Sequence, residues 1–203
     1  MKTNRIALRL LPLAALPVVS GCLTSSHPPE VACWNIEYAA KTATPAEASP
    51  RFGVVRVAHV SVRAPYDTKS ISVLRGDGTV AFDPYNEFAA GVARLIKGTV
   101  AEALEKSGLF KSVIGSSSSA GSDVFAEVSV TKLALDCRTQ GKRKAVADIN
   151  VMLVASRDIA AISMGSGEAD ADDGNYGAAF SRAVSDALAK AISGLADGKE
   201  AKP

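Results

Sequence analysis

Imidazole is scarce in this chain: of 203 residues only His27 and His59 are histidines, and they fall in different segments. A catalytic metal site needs several imidazole, thiolate or carboxylate ligands converging, and a Ser-His-Asp arrangement needs a histidine beside its serine. Neither is supplied. The serine-rich stretch "GSSSSAGS" at 115–122 lacks the G-x-S-x-G elbow of serine hydrolases, because position 119 is Ser119. Ser129-Val130-Thr131-Lys132 spells S-x-x-K without the S-D-N and K-T-G elements that accompany it in penicillin-binding enzymes. "DADDGN" at 170–175 resembles a calcium loop, but Gly174 comes one place early and Ser181 stands where the bidentate glutamate belongs. The chain is therefore read as non-enzymatic, with no cofactor and no metal ligands.

Long apolar runs are missing too. The longest, "LLPLAALPVV" at 10–19, is interrupted by Pro12 and Pro17 and is about half the roughly 20 residues a bilayer-spanning helix needs. Preceded by Lys2, Arg5 and Arg9, it reads as the apolar core of a signal peptide over residues 1–21. The run ends in Val19-Ser20-Gly21-Cys22, which resembles the lipobox read by lipoprotein signal peptidase rather than an A-x-A site. Small Ser20 and Gly21 admit the backbone to the peptidase, cleavage falls between Gly21 and Cys22, and Cys22 supplies the thiol that takes up diacylglycerol. Two or three long acyl chains make an anchor far firmer than one. In bacterial lipoprotein sorting an aspartate after the cysteine favours inner-membrane retention; Leu23 is not aspartate, so the expected location is the periplasmic face of an outer membrane.

A strong charge imbalance is likewise absent. Cleavage removes three basic and no acidic residues from the 23 Lys+Arg and 21 Asp+Glu, leaving about −1 and no footprint for nucleic acid. Of three cysteines, Cys33 and Cys137 remain once Cys22 is acylated, and an oxidising compartment can bridge such a pair.

What is present is a strand-and-helix pattern. Residues 22–50 are rich in Ser, Thr, Pro and Ala and read as a tether, except that Trp34, Ile36 and Tyr38 alternate as a short docking strand would over 33–38. A single domain is expected over 51–196, followed by a polar tail at 197–203. Val55 and Val57, then Val60 and Val62, alternate with a phase change near Ala58-His59, as a bulge produces. "SISVLR" and "TVAFD" flank Gly76-Asp77-Gly78 as a hairpin, which also accounts for the Arg-Gly-Asp tripeptide. Asp83-Pro84 is read as an N-cap with proline at the first helical position. Tyr85, Phe88, Val92, Leu95, Ile96, Ala103 and Leu104 then form an apolar face that stops at Gly108. "LFKSVI", "DVFAEVSV", "AVADINVMLV" and the weaker "IAAISMGSGEA" follow as strands. Tyr176, Phe180, Val184, Leu188, Ala191, Ile192 and Leu195 make the stripe of a closing helix. The expected class is α+β, a two-layer domain of order βββαββββα, with a mixed, mostly antiparallel β-sheet and both amphipathic helices on one face.

Residues 70–114 carry a resemblance. A hairpin strand ending in Leu74-Arg75, a Tyr85-Asn86-Glu87-Phe88-Ala89 segment and a Ser107-Gly108-Leu109-Phe110 exit occur in the order and spacing of the ABC-type transport auxiliary lipoprotein family, which this chain resembles along nearly all of its mature length. Phe88 stands where tryptophan is frequent in the family, and Ala90-Gly91 replaces a frequent proline pair. The resemblance implies an accessory lipoprotein of an envelope lipid-transport system, docking a mammalian-cell-entry (MCE) domain protein that works with an inner-membrane permease and ATPase. The alternative is another envelope-assembly or ligand-binding periplasmic lipoprotein. The contact residues chosen on this reading are Arg75, Tyr85, Asn86 and Phe88, with cap and core roles as the alternative for each, and homo-oligomerisation is kept as an option.

Overall fold

The computed structural model describes residues 30–39 and 49–197; the lipobox with Gly21 and Cys22, and the last six residues of the polar tail, lie outside them. The described chain runs β1 (Ala32–Trp34), β2 (Phe52–Val62), β3 (Ser70–Arg75), β4 (Val80–Phe88), α1 (Val92–Lys106), β5 (Phe110–Ile114), β6 (Val124–Cys137), β7 (Lys144–Ala155), β8 (Asp158–Asp170) and α2 (Tyr176–Ala196). This is the expected α+β order, with β1 as the short docking strand.

Strand β6 is the spine of one eight-stranded sheet. Its first half pairs in parallel with β2, from Val55↔Val124 to Val62↔Val130, and its last residues pair in parallel with β3, from Val73↔Leu135 to Arg75↔Cys137. Along its other edge it runs antiparallel to β7, and β7 runs antiparallel to β8; these are the two longest ladders. β5 flanks β2, while β4 and then β1 flank β3. The phase change in β2 is a bulge: Val57 faces Ala126 and His59 faces Glu127, so Ala58 is the extra residue. The β3–β4 hairpin closes through Gly78, whose φ of 82° a side chain would disfavour.

Alternation decides which face is covered. Val124, Ala126, Val128 and Val130 on β6, and Ala145, Ala147, Ile149, Val151 and Leu153 on β7, are buried in the core with both helices. α1 buries Val92, Ile96, Val100, Ala103 and Leu104; α2 buries the whole stripe from Tyr176 to Leu195. Phe88 meets Phe180 edge-on at 5.1 Å between ring centres, each burial contributing about 1.5–3 kcal/mol. α2 lies unusually close to β8 because the facing residues are small. A β-carbon at Gly165 would collide with the Ala187 carbonyl, and one at Gly167 with that of Ala183.

The segment Asp83–Asn86 differs from expectation. β4 continues to Phe88, and the helix begins only at Val92, with Gly91 as its N-cap. Between Ser72↔Phe82 and Ser70↔Glu87, β4 spends three residues more than β3, a wide bulge. The Asp83 carboxylate accepts from the backbone N–H of Tyr85 (2.9 Å) and Asn86 (3.0 Å), as an N-cap would, but these bonds hold a strand bulge. Pro84 fits because a bulge residue need not donate to the ladder. The helix does end as expected, turning at Gly108.

Candidate functional site

Three hydroxyls gather the N-terminal segment onto the domain. β1 pairs in parallel with the end of β4, Ala32 beside Asn86 and Trp34 beside Phe88. Beyond it, Ser181 Oγ accepts the Glu37 N–H (3.0 Å), Ser185 Oγ accepts the Ala39 N–H (2.8 Å), and Thr99 Oγ1 donates to the Ile36 carbonyl (3.3 Å). Ile36 is thereby sunk between the helices, at 4% exposure. Such a strap satisfies its backbone without a full strand partner. The periodicity of Trp34, Ile36 and Tyr38 announced it. The serines that hold it, set one position past Phe180 and Val184 on α2, were the unread half of the signal.

The four expected contact residues separate. Phe88 is 2% exposed and belongs to the core. Asn86 is a brace: its Oδ1 accepts the indole N–H of Trp34 (2.8 Å) and its Nδ2 donates to Asp83 Oδ1 (3.1 Å). Tyr85, 53% exposed, and Arg75, at the hairpin tip, keep surface side chains. Phe82, at 52% exposure, and Val80 join them on β4. Asp77 at the tip spends its carboxylate on the N–H and hydroxyl of Thr79, which holds its acid below the usual range.

Cys33 and Cys137 are both free, and no bridge joins them. Cys33 lies on β1 and Cys137 ends β6, with β4 and β3 between. Three strand spacings make about 14 Å, twice the roughly 7 Å within which a disulfide can close. The Cys33 thiol donates to Glu87 Oε1 (3.4 Å), and that bond raises its pKa; burial raises that of Cys137.

Among the described residues nothing packs over the sheet face opposite the helices. Paired residues there are Phe125↔Val154, Met152↔Ile162 and Asn150↔Met164, with Ile159 opposite Val154. Phe125, Ile159 and Met164 are exposed by 42%, 59% and 66%. Beside them a groove of about 220 Å³ is lined by His59, Ser61, Glu127, Ser129, Asn150 and Met152. The Asn150 Oδ1 in its floor is buried and without a hydrogen-bond partner. The serine-rich stretch ends up ordered beside this face: the Arg56 guanidinium donates to the carbonyls of Gly115, Ser118 and Ala120. Among the described residues no group of three His, Cys, Asp or Glu is placed to hold a metal ion, and no helix is long and apolar enough to cross a membrane.

The exposed apolar side chains thus form two clusters. One, Val31 with Val80, Phe82 and Tyr85, lies where the chain enters the domain. The other, Phe125 with Ile159 and Met164, lies at the start of β6 and on β8, the diagonally opposite corner.

A family model described as "ABC-type transport auxiliary lipoprotein component" matches residues 34–196. Among solved structures, a Xanthomonas campestris protein of the DUF330 family superposes with a TM-score of 0.60 at 19% identity, covering 84% of this chain and 93% of the other. A PelC dodecamer from Paraburkholderia phytofirmans superposes at 0.38 and 14%, covering 77% of this chain and 94% of that one. The lipoprotein GNA1162 from Neisseria meningitidis stands at 0.31 and 13%, covering 72% and 96%. No curated protein matches the sequence.

Proposed function

The chain belongs to the family of ABC-type transport auxiliary lipoprotein components, and from that membership we propose that it works without chemistry of its own, as a lipid-anchored docking module of an envelope lipid-transport system. In this reading residues 1–21 are a signal peptide, Cys22 carries the acyl chains, residues 22–50 are a tether ending in the strap, and 51–196 form the docking domain. The anchor holds it on the periplasmic face of the outer membrane. The partner is an MCE-domain protein that spans the gap to the inner-membrane permease and ATPase.

The observation that carries the proposal is the uncovered sheet face. Both helices pack on the other side, so the apolar groups Phe125, Ile159 and Met164 are left exposed. A contiguous apolar surface with a polar rim is what a protein partner covers.

Co-purification tests this. Wild-type protein should recover the MCE-domain protein of its own operon, and Met164→Glu should lose at least 10-fold of that recovery while folding normally. Equal recovery by Met164→Glu and by Ile159→Glu would clear the open face of a docking role. Arg75→Glu, at the other corner, should recover the partner as the wild type does.

A further inference from the structure

Among the described residues, the tether corner holds four of the seven exposed large hydrophobic residues: Val31, Val80, Phe82 and Tyr85. β1 reaches back only to Asn86 on β4, so among the described residues Val80–Tyr85 have no strand partner on their outer edge. Because β1 runs parallel to β4 with Ala32 beside Asn86, Val31 precedes it on the side of that edge. Seven residues, 23–29, separate Cys22 from Glu30, and eight extended steps span at most about 29 Å. Resting on the acylation of Cys22 argued above, we propose that this corner, the outer edge of β4 with Val31, seats against the phospholipid surface that holds the acyl chains.

The chemistry suits a bilayer interface. Phe82 and Val80 bring apolar area, and Tyr85 combines an apolar ring with a hydroxyl, the amphipathic form that settles at headgroup depth. Of the neighbouring acids, Asp83 and Asp77 already spend their carboxylates on N–H and hydroxyl donors of their own turns, Glu87 accepts the Cys33 thiol and stands 3.8 Å from the Lys69 ammonium, and Arg75 extends a cation from the hairpin tip. An acyl anchor alone would let the domain tumble; a second, weak contact beside it fixes orientation. From Phe82 on β4 the opposite cluster lies nine residues along β6 and up to four strand spacings away, about 30 Å and 19 Å. With one corner seated, that cluster is turned toward the periplasm.

Protein purified with its native acyl chains and reconstituted into phosphatidylethanolamine–phosphatidylglycerol vesicles with brominated acyl chains tests the seating. Trp34 is the sole tryptophan and a constant background. Phe82→Trp should add emission quenched at least two-fold relative to unbrominated vesicles, while emission added by Ile159→Trp should be unaffected. If the indole introduced at position 82 is no more quenched than the one introduced at position 159, the seating is overturned. Radiolabelled palmitate on the same samples scores the anchor separately: label without quenching sinks only the seating, and absence of label sinks the anchor and the seating that depends on it.

Discussion

Strand β8 has two faces one residue apart, and they obey opposite rules. Gly165 and Gly167 face α2, where the helix backbone comes so close that no side chain fits. Met164, the residue before Gly165, lies on the open face and is 66% exposed. The covered face is built from small residues under a long helix, so its stability rests on close approach. The open face keeps large apolar groups, Phe125, Ile159 and Met164, that stay 42–66% exposed. Side chains whose removal would unfold the protein lie on the first; side chains that could be spared for recognition lie on the second.

Substitution at neighbouring positions breaks this contrast most forcefully. Gly165→Val should push α2 off the sheet and cost about 4 kcal/mol or more, measured as loss of the cooperative urea transition. Met164→Gln next to it should stay within about 0.5 kcal/mol of wild type. If both were mild, the helix would not be seated as described. Phenylalanines give a second pair. Phe180→Ala removes a buried ring and its contact with Phe88 and should cost about 3–5 kcal/mol, whereas Phe82→Ala, at an exposed ring, should change stability little.

The strap sharpens the comparison at its margin. Asn86→Ala leaves the Trp34 indole N–H without its acceptor and should cost about 1–2 kcal/mol. It should also loosen β1, with a red shift in the emission of the only tryptophan. An unchanged spectrum would mean that the indole is held by its contact with Tyr176 alone, at 5.9 Å between ring centres.

These elements were legible in the sequence to different depths. Period-two runs named β2, β6 and β7, and the helical stripe of α2 survived residue by residue, because in each case the burial alternation is written in large apolar side chains. β8 read weakly since its inward positions include Gly165 and Gly167, which leave no hydrophobic signal although they mark the tightest contact in the fold. Asp83-Pro84 misled for a local reason: a carboxylate accepting from N–H groups two and three residues on serves a helix cap and a strand bulge alike. What decides between them is β3 alongside, a partner the local sequence does not display. The parallel seating of β2 and β3 on one edge of β6 is equally nonlocal, and with it the distance that keeps Cys33 from Cys137. Of the contact residues, Arg75 and Tyr85 reach the surface while Asn86 and Phe88 serve the fold. The open-face cluster went unread because exposure of Ile159 and Met164 depends on which side the helices choose.

The smallest effect separates the faces by charge. Among the described residues the buried polar side chains are Ser72, Thr99, Ser181 and Ser185, so acid meets no carboxylate in the core. The open side carries Asp136, held below its usual pKa by hydrogen bonds from Arg138. It also carries Asp148, which burial pushes up but which hydrogen bonds from Ser166 and Lys132 bring down on balance. A carboxylate with a depressed folded pKa contributes stability that is full above its unfolded value near 4 and is lost as pH falls through the folded one. The urea midpoint should therefore hold from pH 7 to about pH 5 and drop modestly below pH 4. Asp148→Asn should flatten part of that drop. A decline already under way between pH 7 and pH 5 that persists in His59→Gln would place a titrating group inside the covered face and undo the division between the two.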